Sequence, residues 1–255
     1  MGIILPIAAS AATVSPYLED LTWPEVKEQM AAGHHIVIIP TGGTEQNGPH
    51  MALGKHNAIV HYTAGEIARQ LGNALVAPVL SYTPEGEIDP PQGHMHFPGT
   101  ISLSPEVFSS VLEDTARSFK RHGFTLICFI GDSGPNQQSQ AEVAEQLTEE
   151  WEDDGVRVLQ VSDYYDHEKQ DAWLRARGIA QEAIGTHAGI EDTSELWAVQ
   201  PDAVRPDVFA AHKPGDINIS GATGDSTQAS REMGKALLNI KIDAAVAQIR
   251  AAAED

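Results

Sequence analysis

The run Ile36-Val37-Ile38-Ile39, preceded by His35, passes through Pro40 into a polar stretch, Thr41-Gly42-Gly43-Thr44-Glu45-Gln46-Asn47-Gly48-Pro49-His50-Met51-Ala52-Leu53-Gly54-Lys55-His56-Asn57. Four apolar residues in succession lack the two-residue alternation of a strand with one wet face, so the run reads as a strand covered on both faces. The stretch after it carries one carboxylate, two imidazoles and four glycines. A buried strand ending in a glycine-rich polar loop is where open α/β sheets build their sites.

The rest of the chain repeats the pattern. Strand-like runs at 74–80, 125–130 and 156–161 alternate with amphipathic helical candidates at 58–71, 105–122, 137–151, 167–177 and 226–252. Ser104-Pro105 is a helix start, with the serine as N-cap and the proline at the first helical position. This order predicts an α/β fold, a three-layer α/β/α sandwich around a mainly parallel sheet. The loops at 84–98 and 213–226 are rich in Gly, Pro and Asp but mark no change of composition. A single domain over 1–255 is expected, with 1–20 as an N-terminal arm.

A formal net charge of −20 argues against nucleic acid and anionic membrane as partners, because phosphate attraction needs clustered Lys and Arg. Cys128 is the single cysteine, so no intrachain disulfide forms; in the run Leu126-Ile127-Cys128-Phe129-Ile130 it reads as a buried structural thiol. No stretch approaches the roughly 20 apolar residues that span a bilayer. Residues 2–14 are apolar and small, but the first basic residue is Lys27, so the basic region of a signal peptide is missing. A cytoplasmic protein is expected, with a periplasmic one as the alternative if the N-terminus is a processed secretory end.

Four blocks, in order, carry a family resemblance: 40–56 as above, Gly93-His94-Met95-His96-Phe97-Pro98-Gly99-Thr100-Ile101-Ser102, Gly131-Asp132-Ser133-Gly134-Pro135-Asn136, and His187-Ala188-Gly189-Ile190-Glu191-Asp192-Thr193-Ser194. With Gly221-Ala222-Thr223-Gly224-Asp225 they make the chain resemble the creatininase (creatinine amidohydrolase) family as a divergent member. The resemblance implies the sandwich fold, hydrolysis of small cyclic amides or related C–N bonds, a small-molecule substrate, homo-oligomers that are often hexamers, and two divalent metals bridged by a carboxylate. In that pattern Glu45 stands at a ligand position and is retained. Asn47 stands where a His is usual, His56 where the bridging Asp is usual, and Ser133 where another His is usual. His187 matches the family's acid/base segment, and Asp192 a carboxylate at the metal site.

These replacements change the expected chemistry. A carboxylate bridges two metals with its two oxygens, whereas a neutral imidazole offers one lone pair to one metal. At most one divalent metal, Zn or Mn, is therefore expected, held by Glu45, His56 and Asp192, with Asp132, His50 and His187 also weighed as the third ligand. His187, Ser133 and Asp132 are the catalytic candidates; Asn47, His96 and His50 are the substrate-binding ones, His50 in a role supporting the loop. His94 and His96 would share one face of an extended strand. The expected function is hydrolysis of a small cyclic amide, lactone or related C–N bond, with creatinine itself disfavoured. One alternative is metal-free. It makes Ser133 a nucleophile with His56 or His187 as base and Glu45 or Asp192 orienting it, or uses His and carboxylate for lyase or isomerase chemistry. Another is a non-catalytic small-molecule-binding relative. Asp192-Thr193-Ser194-Glu195 also has the form of a helix start with Asp192 as N-cap.

Overall fold

The computed structural model describes residues 15–254. Four parallel strands, β1 (Ile36–Thr41), β2 (Ala74–Val76), β3 (Leu126–Gly131) and β4 (Arg157–Gln160), form one sheet in the order β2-β1-β3-β4. Along β1, Ile36 and Ile38 enter one apolar cluster while Val37 and Ile39 enter the other. Both faces are therefore dry, which is why the strands read as unbroken apolar runs.

Nine helices accompany the sheet among the described residues: α1 (Trp23–Ala31), α2 (Lys55–Leu71), α3 (Pro105–His122), α4 (Asn136–Glu150), α5 (Glu168–Arg175), α6 (Gln181–Ile184), α7 (Ile190–Val199), α8 (Ile217–Ser220) and α9 (Arg231–Glu254). Ile59 and Ile67 of α2, Leu196 of α7, and Leu238, Ile242 and Ile249 of α9 fill one face. Phe108 and Leu112 of α3 with Val143 and Leu147 of α4 fill the other. This is the three-layer sandwich expected. A short antiparallel pair, β5 (Ala211–His212) with β6 (Gly224–Asp225), lies outside the main sheet. No helix among the described residues is long and apolar enough to cross a membrane.

The chain leaves β1 through α2 on one face and leaves β3 through α4 on the other. The carboxyl ends of these adjacent strands are thus a topological switch point, where the diverging connections open a crevice.

Several boundaries differ from the sequence reading. β2 stops at Val76: beyond it Pro78 has no N–H to give, and the chain follows β1 through separate contacts, Ala77 N–H to Ile38 O (2.8 Å), Leu80 N–H to Pro40 O (2.9 Å) and Gly42 N–H to Leu80 O (3.0 Å). The final helix begins at Arg231, because 226–228 form a separate 3₁₀ turn. α1 lies outside the helices expected from periodicity; its start is a capping box in which the Thr22 backbone N–H donates to Glu25 Oε2 (2.7 Å). The proposed arm falls largely outside the described residues, but 15–20 are placed, with Pro16 O accepting from Val76 N–H (2.8 Å). Ser104 caps α3 by accepting from Val107 N–H (3.3 Å), as its sequence indicates.

α9 reaches α7 through Gly234. A Cβ there would overlap the Ser194 carbonyl oxygen. Alanine is ordinarily better than glycine in a helix by about 1 kcal/mol, but here the added methyl must push two packed helices apart. Gly234→Ala is expected to destabilise the fold by about 1–3 kcal/mol, read as a lower urea midpoint with an unchanged slope; a gain in stability would contradict this packing.

Candidate active site

Glu45 sits four residues beyond β1 in a loop fastened from below. Asn57 Oδ1 accepts from Gly43 N–H (3.0 Å) and Asn57 Nδ2 donates to Thr44 Oγ1 (3.2 Å). Asn136, at the start of α4, donates to Thr41 Oγ1 (2.9 Å) and Gly42 O (2.8 Å), tying the ends of β1 and β3 together. Gly43 has φ +153°, and a side chain there would collide with Glu85 Oε1. Glu85 is buried behind Glu45 and accepts from Thr83 Oγ1 (2.8 Å). Burial and the charge of Glu45 push the Glu85 carboxyl up to about 9.

From Glu45 a row of alternating charge runs inward. His56 Nε2 lies 2.8 Å from Glu45 Oε1, and His56 Nδ1 lies 2.8 Å from Asp132 Oδ2. Both partners are acceptors, so both ring nitrogens donate and His56 is an imidazolium. Burial and Lys55 act to lower its pKa, but hydrogen bonds with Asp132 and Glu45 carry it up to about 9. Asp132 Oδ1 takes the Lys241 ammonium (2.9 Å) and the Tyr164 hydroxyl (2.7 Å). Lys241 also reaches Glu195 Oε2 (3.2 Å). At the other end, Lys55 Nζ lies 3.0 Å from Asp192 Oδ1 and 3.9 Å from Glu45 Oε1. Against the effect of burial, these cations hold Asp132 at about 2 and keep Glu45 and Asp192 well below the usual carboxylate range. Burial raises Glu195 to about 7 despite Lys241.

The outer side of Glu45 is different. His94 Nε2 lies 3.1 Å from Glu45 Oε2, and His187 Nδ1 lies 3.7 Å from Glu45 Oε1. One ligand atom from each of Glu45, His94 and His187 falls within 4.8 Å of the others. Burial lowers the pKa of both histidines, that of His187 to about 4, so both rings are neutral near pH 7. His187 Nε2 lies 2.9 Å from the Gln46 backbone carbonyl and 3.2 Å from Gln46 Nε2; donation to the nearer carbonyl puts the proton on Nε2 and leaves Nδ1 as a lone pair toward Glu45. Gln46 Nε2 lies 2.8 Å from His94 Nδ1. These groups, with Lys55, Asp132 and Ser133, line a cavity of about 500 Å³.

The family model described as creatinine amidohydrolase matches residues 19–249. The chain belongs to the creatininase family. It is 26% identical to a creatinine amidohydrolase of Pseudomonas putida, over 92% of this chain and 96% of the relative. It is 30% identical to a mycofactocin precursor peptide peptidase of Mycolicibacterium smegmatis, over 68% of this chain and 61% of that protein. A mutant creatininase structure superposes with a TM-score of 0.78 at 26% identity, covering 93% of this chain and 98% of the other. Other solved creatininases include a Zn-Zn type and a Mn form.

Within this creatininase fold the residues singled out by sequence divide into two groups. Glu45, His56, Asp132, Ser133, His187 and Asp192 all line the cavity. Asn47, His50 and His96 are not among its lining residues. Asn47 is buried and donates to Glu45 O (2.9 Å), stapling the loop. His50 is buried against Thr193 Oγ1 (2.9 Å) and the edge of Phe209. His96 is exposed. It was expected to share a face with His94, but 93–96 form a 3₁₀ turn, in which neighbours two apart diverge. Of the expected ligand trio, His56 has no free nitrogen and Asp192 is paired with Lys55; Glu45 alone meets the His94–His187 cluster. Ser133 Oγ makes no hydrogen bond among the described residues, so no imidazole is in place as its base. Asp192 is not the N-cap: α7 starts after Gly189, and Asp192 Oδ2 accepts from Ala188 N–H (2.7 Å) from inside the first turn.

Three features have no counterpart in the sequence reading. Lys55 and Lys241 are buried cations in the site. His167 Nδ1 pairs with Glu191 Oε1 (2.7 Å) at the cavity wall, and that hydrogen bond outweighs burial to raise its pKa. A signal for Lys241 does exist: it falls between Leu237 and Ala245 at four-residue spacing on the apolar stripe of α9.

His56 and Glu85 both hold protons in the folded chain up to about pH 9, where the unfolded chain has released them. For these groups the folded state binds more protons, so stability falls as pH rises from about 6.5 to 9. The urea midpoint in EDTA is expected to drop across that window, and less so in His56→Gln; a flat profile would contradict the protonation assigned to His56.

Proposed function

We propose that this creatininase-family amidohydrolase cleaves the C–N bond of a small cyclic amide, or the related bond of a lactone, with one divalent metal, Zn or Mn, held by Glu45, His94 and His187. The observation that carries the reading is the convergence of one carboxylate and two neutral imidazoles in the lining of a cavity of small-molecule size. Three protein donors with open positions are the arrangement of hydrolytic metal centres. A metal bound there would polarise the scissile carbonyl and lower the pKa of a bound water.

The chain's own residues supply the rest. The His187 ring is aimed by the Gln46 carbonyl. Gln46 Nε2 donates to His94 Nδ1, which sets the proton of that ring on Nε2 toward Glu45; ligation through Nε2 would move the proton to Nδ1 and turn the Gln46 carboxamide oxygen to meet it, so Gln46 governs both rings. The Ser133 hydroxyl, unclaimed by protein groups among the described residues, is available to hydrogen-bond the substrate. His167, whose hydrogen bond with Glu191 favours its protonated form, lines the cavity and would donate a proton to the departing nitrogen. His187 is then a ligand in this reading and not the acid/base group expected from the resemblance.

Ser133 as a nucleophile has no hydrogen-bonded base to support it. Metal content and kcat/KM on a panel of cyclic amides and lactones separate the readings. Glu45→Gln, His94→Ala and His187→Ala are each expected to lose the bound metal and at least about 100-fold in kcat/KM. Ser133→Ala should keep the metal and lose less than about tenfold. Activity that survives chelation but vanishes in Ser133→Ala would replace this reading with serine catalysis, and ligand binding without turnover would make the chain a binding relative.

A further inference from the structure

The inner half of the site poses a separate question. A creatininase of the Zn-Zn type carries two metal ions, yet past Glu45 the described residues offer no second set of free donors. Asp132 has one oxygen on His56 and the other on Lys241 and Tyr164. Glu195 has one oxygen on Lys241 and the other on the Gln170 amide (2.6 Å). Asp132, His56, Lys241 and Glu195 are all at least nine-tenths buried. A buried carboxylate needs a counter-charge, and here the protein provides it covalently.

We propose that the His56 imidazolium and the Lys241 ammonium take the place of the second metal ion, so that the inner site assembles and stays neutralised without metal. Geometry supports this. A single ring spans Glu45 and Asp132 with 2.8 Å contacts on each side, doing with two N–H groups what a bridged ion does with two coordination bonds. Lys241 is contributed by the middle of α9, and the side chain penetrates to Asp132 beside the Tyr164 ring (4.7 Å). Lys55 serves Asp192 in the same way. The inference concerns the inner row alone and stands whether or not Glu45, His94 and His187 hold a metal.

The test compares the native protein with His56→Gln and Lys241→Met, stripped with chelator, by metal stoichiometry and thermal unfolding in EDTA or in excess ZnCl2 or MnCl2. The native protein should take up no more than one equivalent. His56→Gln should unfold about 10 °C lower in EDTA, regain at least half of that loss with Zn or Mn, and bind one equivalent more than the native protein, because Glu45 and Asp132 then lack their shared cation. Lys241→Met should also unfold lower in EDTA. Two equivalents on the native protein, a His56→Gln variant as stable as native in EDTA, or a loss that neither ion reverses would each overturn the proposal. Should His56→Gln fail to fold, the stoichiometry of the native protein decides. A native protein that binds no metal would remove the proposed function while leaving this inference intact.

Discussion

One imidazolium between two buried carboxylates organises the site. His56 cannot face Glu45 and Asp132 at once unless β1 and β3 end side by side and α2 begins immediately after the loop. Breaking a buried ion pair by removing one partner typically costs about 3–5 kcal/mol, because a desolvated charge is left behind. The row therefore favours one arrangement of the loop after β1, the start of α2, the loop after β3 and the middle of α9. Each element contributes one charge of alternating sign, and displacing any of them strands its neighbours.

The same arithmetic separates an inner from an outer side of Glu45. Inward, Asp132 and Glu195 each have both oxygens engaged, by His56, Lys241, Tyr164 and Gln170. Outward, His94 and His187 are neutral, partly exposed and aimed by Gln46. A carboxylate that is held in place from behind and approached by two imidazoles from the front is a preorganised ligand. The low pKa of Glu45 follows from its cations and keeps it in the form a metal needs. The fixed charges thus support the open half of the site, while occupying the space in which a second ion would otherwise be held.

Much of the fold was legible in the sequence, because two-sided burial leaves continuous apolar runs and the cap Ser104-Pro105 marks a helix start. What was not legible depended on context. Pro78 ends the ladder of β2 while leaving the apolar run unbroken, so periodicity overshoots. α7 is legible only as a helix start at Asp192, later than its true start, because its first turn is entered through Gly189 and Asp192 and Glu195 face inward to Lys55 and Lys241. At the site, Glu45, His56 and Asp132 were found because carboxylates and imidazoles in a glycine-rich loop invite attention. Lys55 and Lys241 were missed because lysine is normally solvated and is seldom searched for among buried groups. The spacing of His94 and His96 suggests a shared face of an extended strand, whereas the chain turns there and only His94 lines the cavity.

The most direct test of this division of labour is nitrogen-15 NMR of the histidine rings at pH 7.5, with zinc titrated into the metal-free protein. The account predicts that His56 shows two protonated nitrogens throughout and is unmoved by zinc, while His94 and His187 start neutral and alone among the cavity imidazoles shift on zinc binding. A neutral His56, or a His56 resonance that moves with bound zinc while His94 does not, would contradict it.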